Sequence, residues 1–414
     1  MKYIIDKTKR PVYLQLYKQI RDDIIEGVFP FGERLPSQRI LAEETGVSVV
    51  TAEHAYQLLC DEGYTVSRRR SGYFVAFKKS DGFVRPIESS TERPSPSHIS
   101  DFPASLSTAR RSFTADNSFS QAVPLTAILP RVGTASLISP PVSPVAPPAY
   151  PTFSVSILSK TMRRVLSDYY DVILEKSPNT GCTVLKEAIK SYLARNRGIN
   201  VEVDQIIIGS GAEYLYGLMV MLLGKDRIYG IESPSYDVIE KIYKTAGARY
   251  ELLPLKEDGI DTEALFKSRA SVLHTTPYQS FPSGITASAS KRHQYIAWSN
   301  EGDRFIIESD YGSEFAVSSA PMESLFALSG RDNVIYTNTF SKTISSSLRV
   351  GYMVLPKRLA AEFEKKLGFY SCTVPTFEQY VLTELLNSGD FERHINRVRR
   401  SMRKKLAEKD DREG

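Results

Sequence analysis

The feature that most limits how this chain can fold is a long interruption. Residues 78–152 are rich in Pro, Ser and Ala, with runs such as RPSPS and SPPVSPVAPPAYP. Proline fixes its own φ and has no backbone N–H, so these runs enter neither helix interiors nor central strands. The segment reads as a linker. It divides the 414 residues into a head, 1–77, and a body that begins near Phe153.

Bulk properties narrow the class. Hydrophobic content of 42% and charged content of 24% are ordinary for a soluble globular protein. A net charge of +5 over this length does not by itself indicate a nucleic-acid partner. Cys60, Cys182 and Cys372 are odd in number, far apart and without ligand spacing, so reduced thiols and no metal site are expected. No apolar run approaches the ~20 residues that span a bilayer, and MKYIIDKTKRP has no signal-peptide core. A cytoplasmic protein with no membrane partner is the expectation.

The head carries four signals in order. VYLQLYKQIRDDIIE (Val12–Glu26) has apolar residues at helical spacing, including Leu16, Ile20, Ile24 and Ile25. After the turn VFPFGERLP, Ser37 caps a second helix that Gly46 ends; Ser48 caps a third, which runs to about Glu62 and stops at Gly63. YTVSRRRSGYFVAF then reads as two short strands around a basic turn. Tandem short helices followed by a hairpin make a winged helix-turn-helix, whose second short helix enters the major groove.

The run PVYLQLYKQIRDDIIEGVFPFGERLPSQRILAEETGVS, continued by AYQLLCDEGYTVSRRRSGYFV, resembles the GntR-type DNA-binding domain over nearly its full length. The resemblance implies a double-stranded DNA operator as partner. It implies that Arg39, Ser48, Val49 and Thr51 approach that DNA, with Arg68, Arg69, Arg70 and Gly72 in the wing. A polar or basic residue often follows the family's capping serine; here Val49 and Val50 stand there, either to meet thymine methyls or to pack. Three arginines alone are ordinary surface, but inside this full pattern they are expected at DNA.

In the body, helical patterns alternate with QIIIG, RIYGIE, SVLHTT, RFIIESD, VIYTNTF and GYMVL. That alternation predicts parallel strands with crossover helices. Lys342 follows one such strand, with Thr339 and Ser341 before it and Arg349 after it. Another strand runs into Gly209-Ser210-Gly211-Ala212 and straight into a helix, where backbone amides can meet an anion. Tyr236 in SPSY follows a third strand, and SDYGSEF a fourth.

Together these resemble a fold-type I pyridoxal-phosphate enzyme of the class I aminotransferase group, and with the head in front, the MocR subgroup of GntR regulators. The resemblance implies an α/β PLP-dependent transferase-like (fold-type I) large domain, 153–356, preceded by a winged helix-turn-helix domain. It implies pyridoxal 5'-phosphate as cofactor and Lys342 as its Schiff-base lysine. Ser210, Gly211, Ala212, Ser341 and Arg349 are then expected at the phosphate, Tyr236 on the ring and Tyr311 at the phenolic oxygen.

Three departures bear on catalysis. The family writes E-D-D-Y where this chain has Glu308-Ser309-Asp310-Tyr311, so a serine takes the place of the aspartate that pairs with the pyridinium nitrogen. Asp310 enters the expected cofactor set as its substitute. TPYQSFPSG has Phe281-Pro282 where aminotransferases have Asn-Pro, which favours a regulator. Residues 357–414 read as a helical segment in place of a complete small domain, so the arginine that grips a substrate carboxylate is not expected. The expected function is therefore a PLP-dependent regulator that senses an amine, an amino acid or PLP itself. A homodimer is expected, with each head resting on the partner's cofactor domain. An active aminotransferase with a DNA-binding head, and a truncated DNA-binding protein that no longer holds PLP, are the alternatives.

Overall fold

The computed structural model describes residues 3–6, 11–68, 71–78, 152–316, 323–330 and 332–413. Most of the expected linker, 79–151, and the wing residues Arg69 and Arg70 lie outside the described residues. The head comprises α1 (Val12–Glu26), α2 (Gln38–Thr45), α3 (Val49–Asp61), β1 (Thr65–Arg68) and β2 (Gly72–Val75). The body's helices are α4 (Val155–Asp168), α5 (Tyr170–Ile173), α6 (Thr183–Arg197), α7 (Ala212–Leu223), α8 (Asp237–Thr245), α9 (Thr262–Lys267), α10 (Ala289–Ser299), α11 (Leu325–Leu328), α12 (Lys357–Leu367), α13 (Thr376–Asn387) and α14 (Asp390–Glu413). Its strands are β3 (Ile206–Gly209), β4 (Ile228–Ser233), β5 (Arg249–Lys256), β6 (Gly259–Ile260), β7 (Val272–Thr275), β8 (Phe305–Asp310), β9 (Val334–Thr339) and β10 (Gly351–Val354).

The caps read from the head are the caps that form. Ser37 Oγ accepts the Ile40 amide and Ser48 Oγ accepts the Thr51 amide at 3.1 Å, each satisfying an orphan donor of a helix start. Leu16, Ile20 and Ile24, four residues apart, line one face of α1 and meet Leu41, Ala52, Leu59 and Val75 in the head's core. Ala289, the first residue of α10, belongs to that same core. The head therefore packs against the body within this chain.

The body's sheet has the order β3-β10-β9-β8-β7-β4-β5-β6. Neighbours from β9 through β5 are parallel, as the alternating pattern predicts. β10 departs from it, lying antiparallel to both β9 and β3. The cause is the short connection 340–350, which holds no crossover helix, and a parallel return needs one. β5 and β6 are absent from the sequence reading; Pro254 inside β5 is tolerated near the sheet's edge.

Three clusters of buried residues cover the sheet, one of them formed by α9, α10 and α11 over Leu253, Leu273, Ile306 and Val334. Residues of α6, α13 and α14 pack on one face with Ile206, Ile208, Tyr336 and Tyr352, and residues of α7, α8 and α12 pack on the other with Ile207, Ile307, Ile335 and Met353. The alternation of buried residues along each strand produces this two-sided burial. The helices from residue 357 onward thus share the body's cores. Among the described residues no helix is long and apolar enough to cross a membrane.

Candidate cofactor site and DNA-facing surface

β3, β4, β8 and β9 point the same way, because β10 is antiparallel to both of its neighbours. Their C-terminal ends therefore share one edge, the place where open α/β sheets collect ligand-binding loops. Ser210, Gly211 and Ala212 follow β3, Tyr236 follows β4, Tyr311 follows β8, and Ser341 and Lys342 follow β9. Arg349 stands just before β10, whose reversed direction returns it to the same edge.

Lys342 lies over this edge against the Tyr311 segment. Its Nζ donates to the Tyr311 carbonyl at 3.4 Å and sits 4.8 Å from the centre of the Tyr311 ring. Gly312 has φ +109, and a Cβ there would collide with the lysine's amine, so the glycine is a condition of this approach. Burial lowers the Lys342 pKa, while the nearby Glu314 and Asp310 charges oppose that shift. A less charged amine is a better nucleophile.

The anion end is built around the start of α7. Arg349 pairs with Glu213 in the first turn of that helix. Gly211 has φ +92, and a Cβ there would come within 2.8 Å of the Arg349 guanidinium. The Ser210 amide donates to Thr373 Oγ1 at 3.0 Å, and Ser341 Oγ to the Leu348 carbonyl at 3.4 Å. Tyr236 and Tyr311 are 39% and 47% exposed, leaving their rings accessible. Burial raises the Tyr236 hydroxyl pKa, with Glu213, Asp237 and Tyr311 adding to the shift and Arg349 opposing it, so these groups share one electrostatic neighbourhood.

Asp310 requires a correction. Expected at the cofactor, its carboxylate is committed to the Arg197 guanidinium at 2.7 Å and accepts from the Tyr336 hydroxyl at 2.7 Å, all of them buried. The reason is the two-residue period of a strand: Ser309 faces α7, so Asp310 faces α6. Ser309 Oγ lies 2.7 Å from Tyr216 Oη and 2.8 Å from His274 Nε2, and His274 Nδ1 lies 2.6 Å from Tyr243 Oη. A neutral, hydrogen-bonded chain occupies the place where the family's carboxylate is expected.

Burial lowers the His274 pKa to about 3. The unfolded chain takes up this proton as pH falls through about 6.5, whereas the native chain does not until about pH 3. His274 therefore removes stability across that window as pH falls, by about 2 kcal/mol at pH 5. Glu232, raised to about 7 chiefly by burial, acts with the opposite sign between about pH 7 and 4.5. The histidine is best followed alone: its ring is expected to stay neutral at pH 5 in nitrogen-15 NMR spectra of the folded protein. A His274 resonance that titrates near 6.5 contradicts this.

On the head, Arg39, Ser48 and Arg68 are exposed, while Thr51 and Gly72 are partly covered. Val49 and Val50 are 45% and 59% exposed, so packing does not account for them. Arg68 lies over the Phe74 ring at 4.5 Å, a stacking contact across the hairpin.

Sequence reasoning missed three groups. Glu232 accepts from Thr275 Oγ1, the Thr276 amide and Ser280 Oγ, which anchors the TPYQSFPSG loop. Its signal was a carboxylate inside the apolar strand IYGIES. His274, inside VLHT, carried the same kind of signal. The ion pair of Glu62 with Arg292 joins head and body across 230 residues, and no local pattern points to it.

Comparison with known proteins places both halves. Residues 12–75 match the family described as bacterial regulatory proteins, gntR family, and residues 172–412 match aminotransferase class I and II. An uncharacterized HTH-type transcriptional regulator of Bacillus subtilis (strain 168), YdeL, is 29% identical over 96% of this chain and 78% of its own. The probable rhizopine catabolism regulatory protein MocR of Rhizobium meliloti is 28% identical over 94% of this chain and 74% of its own. An archaeal alanine:glyoxylate aminotransferase structure superposes with a TM-score of 0.54 at 22% identity, over 58% of this chain. That likeness carries the fold alone, and this chain spans 62% of that structure's length.

Proposed function

This chain belongs to the aminotransferase class I and II family, as a transcriptional regulator of the GntR/MocR type, and from that premise we propose that its body holds pyridoxal 5'-phosphate on Lys342 as a sensor of small amines. The observation that carries the reading is the convergence of Lys342, Tyr236, Tyr311 and Arg349 at one sheet edge. The donor set suits a phosphate ester. Arg349 already engages an anion, the Glu213 carboxylate, beside a helix start that Gly211 leaves open to it.

When bound, this cofactor supplies an aldehyde carbon that passes between one primary amine and another. The residues of the chain divide the remaining work. The amides of Ser210 to Ala212, with Ser341 and Arg349, hold the phosphate once Glu213 yields the guanidinium. Tyr236 offers a flat ring to stack on, and Tyr311 a hydroxyl for the phenolic oxygen. Lys342, its charge disfavoured by burial, would supply the primary amine for that carbon.

Ser309 decides what kind of site this is. A carboxylate would hold a ring proton, whereas the Tyr243–His274–Ser309 chain is neutral, which leaves a poor electron sink. Such a site would suit holding the cofactor as a sensor better than transamination. An effector acts by binding one arrangement of the protein better than another.

The test is spectroscopic. Purified protein with added PLP is expected to gain a visible absorption band that borohydride discharges, leaving a pyridoxyl group on the peptide containing Lys342. The absence of a band, or label on another lysine, would sink the reading.

A further inference from the structure

We propose that Arg292, a residue of the body, is a positioning residue for DNA reading: it holds the end of the recognition helix α3 through Glu62. Glu62 is the residue that closes α3. Arg292 donates to its side chain at 3.0 Å and to its backbone carbonyl at 2.5 Å. Both side chains are 1% exposed. A guanidinium at this end also complements the partial negative charge of a helix C-terminus.

The surroundings make the contact a clamp. The Glu323 amide donates to both carboxylate oxygens of Glu62, at 2.9 and 3.0 Å, and Arg292 donates to the Glu323 carbonyl at 2.9 Å. Arg21 of α1 pairs with the Glu323 carboxylate. Beside them Tyr64 Oη lies 3.0 Å from His293 Nε2, and the Lys78 amide donates to Ser290 Oγ at 3.0 Å. A buried ion pair is a poor device for adding stability, because desolvation offsets its attraction; what it supplies is one defined arrangement.

That arrangement bears on DNA through leverage. The 13 residues of α3 span about 20 Å, with Ser48 and Thr51 at the end away from the clamp. A tilt of about ten degrees about Glu62 moves the far end by roughly 3 Å, more than a hydrogen bond to a base edge tolerates. Arg292 also borders a cavity of about 10 Å³, the size of one water, together with Arg197, Ser309, Asp310 and Glu323. The strand end that leads into Tyr311 and the clamp on the recognition helix therefore share a wall.

The proposal is tested on the full chain, without cofactor, so its outcome is independent of the PLP reading. Duplexes preferred by the wild-type chain are first enriched from a randomised library. Each variant's affinity for the enriched duplex is then compared with its affinity for a random-sequence 40-base-pair duplex. Arg292→Gln is expected to lower this ratio by roughly tenfold, the worth of one displaced base contact, while the random-duplex affinity and its salt slope hold. Arg292→Lys should restore part of the ratio, and hydrogen exchange in a peptide spanning 49–64 should quicken in Arg292→Gln. A ratio unchanged within twofold overturns the proposal. If Arg292→Gln does not fold, the milder Glu62→Gln decides, and an unchanged ratio there overturns it equally.

Discussion

Arg197→Met is expected to destabilise the folded chain by about 3–5 kcal/mol, the cost of leaving a buried charge without its partner. Arg197 and Asp310 have side-chain exposures of 4% and 2%. Glu308 and Glu314 are buried close by, each raised to about 7 by burial first and by the Asp310 charge second, with Arg197 pulling in the opposite direction. Removing the guanidinium leaves these carboxylates facing one another in a medium that solvates them poorly. Thermal melting near neutral pH should show a drop of about 10 °C. Arg197→Met combined with Asp310→Asn should recover part of the loss, because the stranded charge is then gone. The exposed pair of Lys267 with Glu263, one helical turn apart, provides the control, and Lys267→Met should change stability by less than about 0.5 kcal/mol. A melting temperature for Arg197→Met within a degree or two of wild type would mean that the buried pair does not carry the stability assigned to it here.

The ion pair also shows where reading from the sequence stops. Strands β3, β4, β7, β8, β9 and β10 were legible because each is an apolar run bounded by turn residues, and the head's helices because Ser37, Gly46 and Ser48 are local punctuation. Lys342 and Arg349 stood out because their spacing lies within one loop. The side-chain period placed Ser309 and Asp310 on opposite faces, yet the sequence alone could not say that Arg197 waits opposite the second, because α6 is more than a hundred residues away. Likewise Glu213 reads as an ordinary first-turn acid of α7 until the fold returns Arg349 to it. The Glu62–Arg292 clamp is the extreme case, since its two ends belong to what composition marks as separate domains. Local propensity and period survive translation into sequence; pairings across the fold do not.

Lys342→Ala should abolish covalent retention of pyridoxal phosphate altogether, because it removes the amine that follows β9 at this edge. The change removes a partly buried side chain that touches the Tyr311 segment and the space above Gly312 and belongs to none of the body's hydrophobic clusters. Stability should therefore shift by less than about 1 kcal/mol, and the head, which ends at residue 77, should bind DNA as before. The phosphate end does not depend on the lysine: Ser210 to Ala212, Ser341 and Arg349 remain, so weak, reversible binding of the cofactor should persist without a borohydride-stable label. Mass spectrometry of the reduced protein reads the first outcome, and an absorbance titration reads the second. A pyridoxyl label retained by Lys342→Ala would move the covalent site to another lysine and break the link between β9 and the cofactor. If the wild-type chain is labelled and the variant neither labelled nor altered in DNA binding, the two halves are separable in chemistry. The communication between them then has to run through the body's contacts with the head.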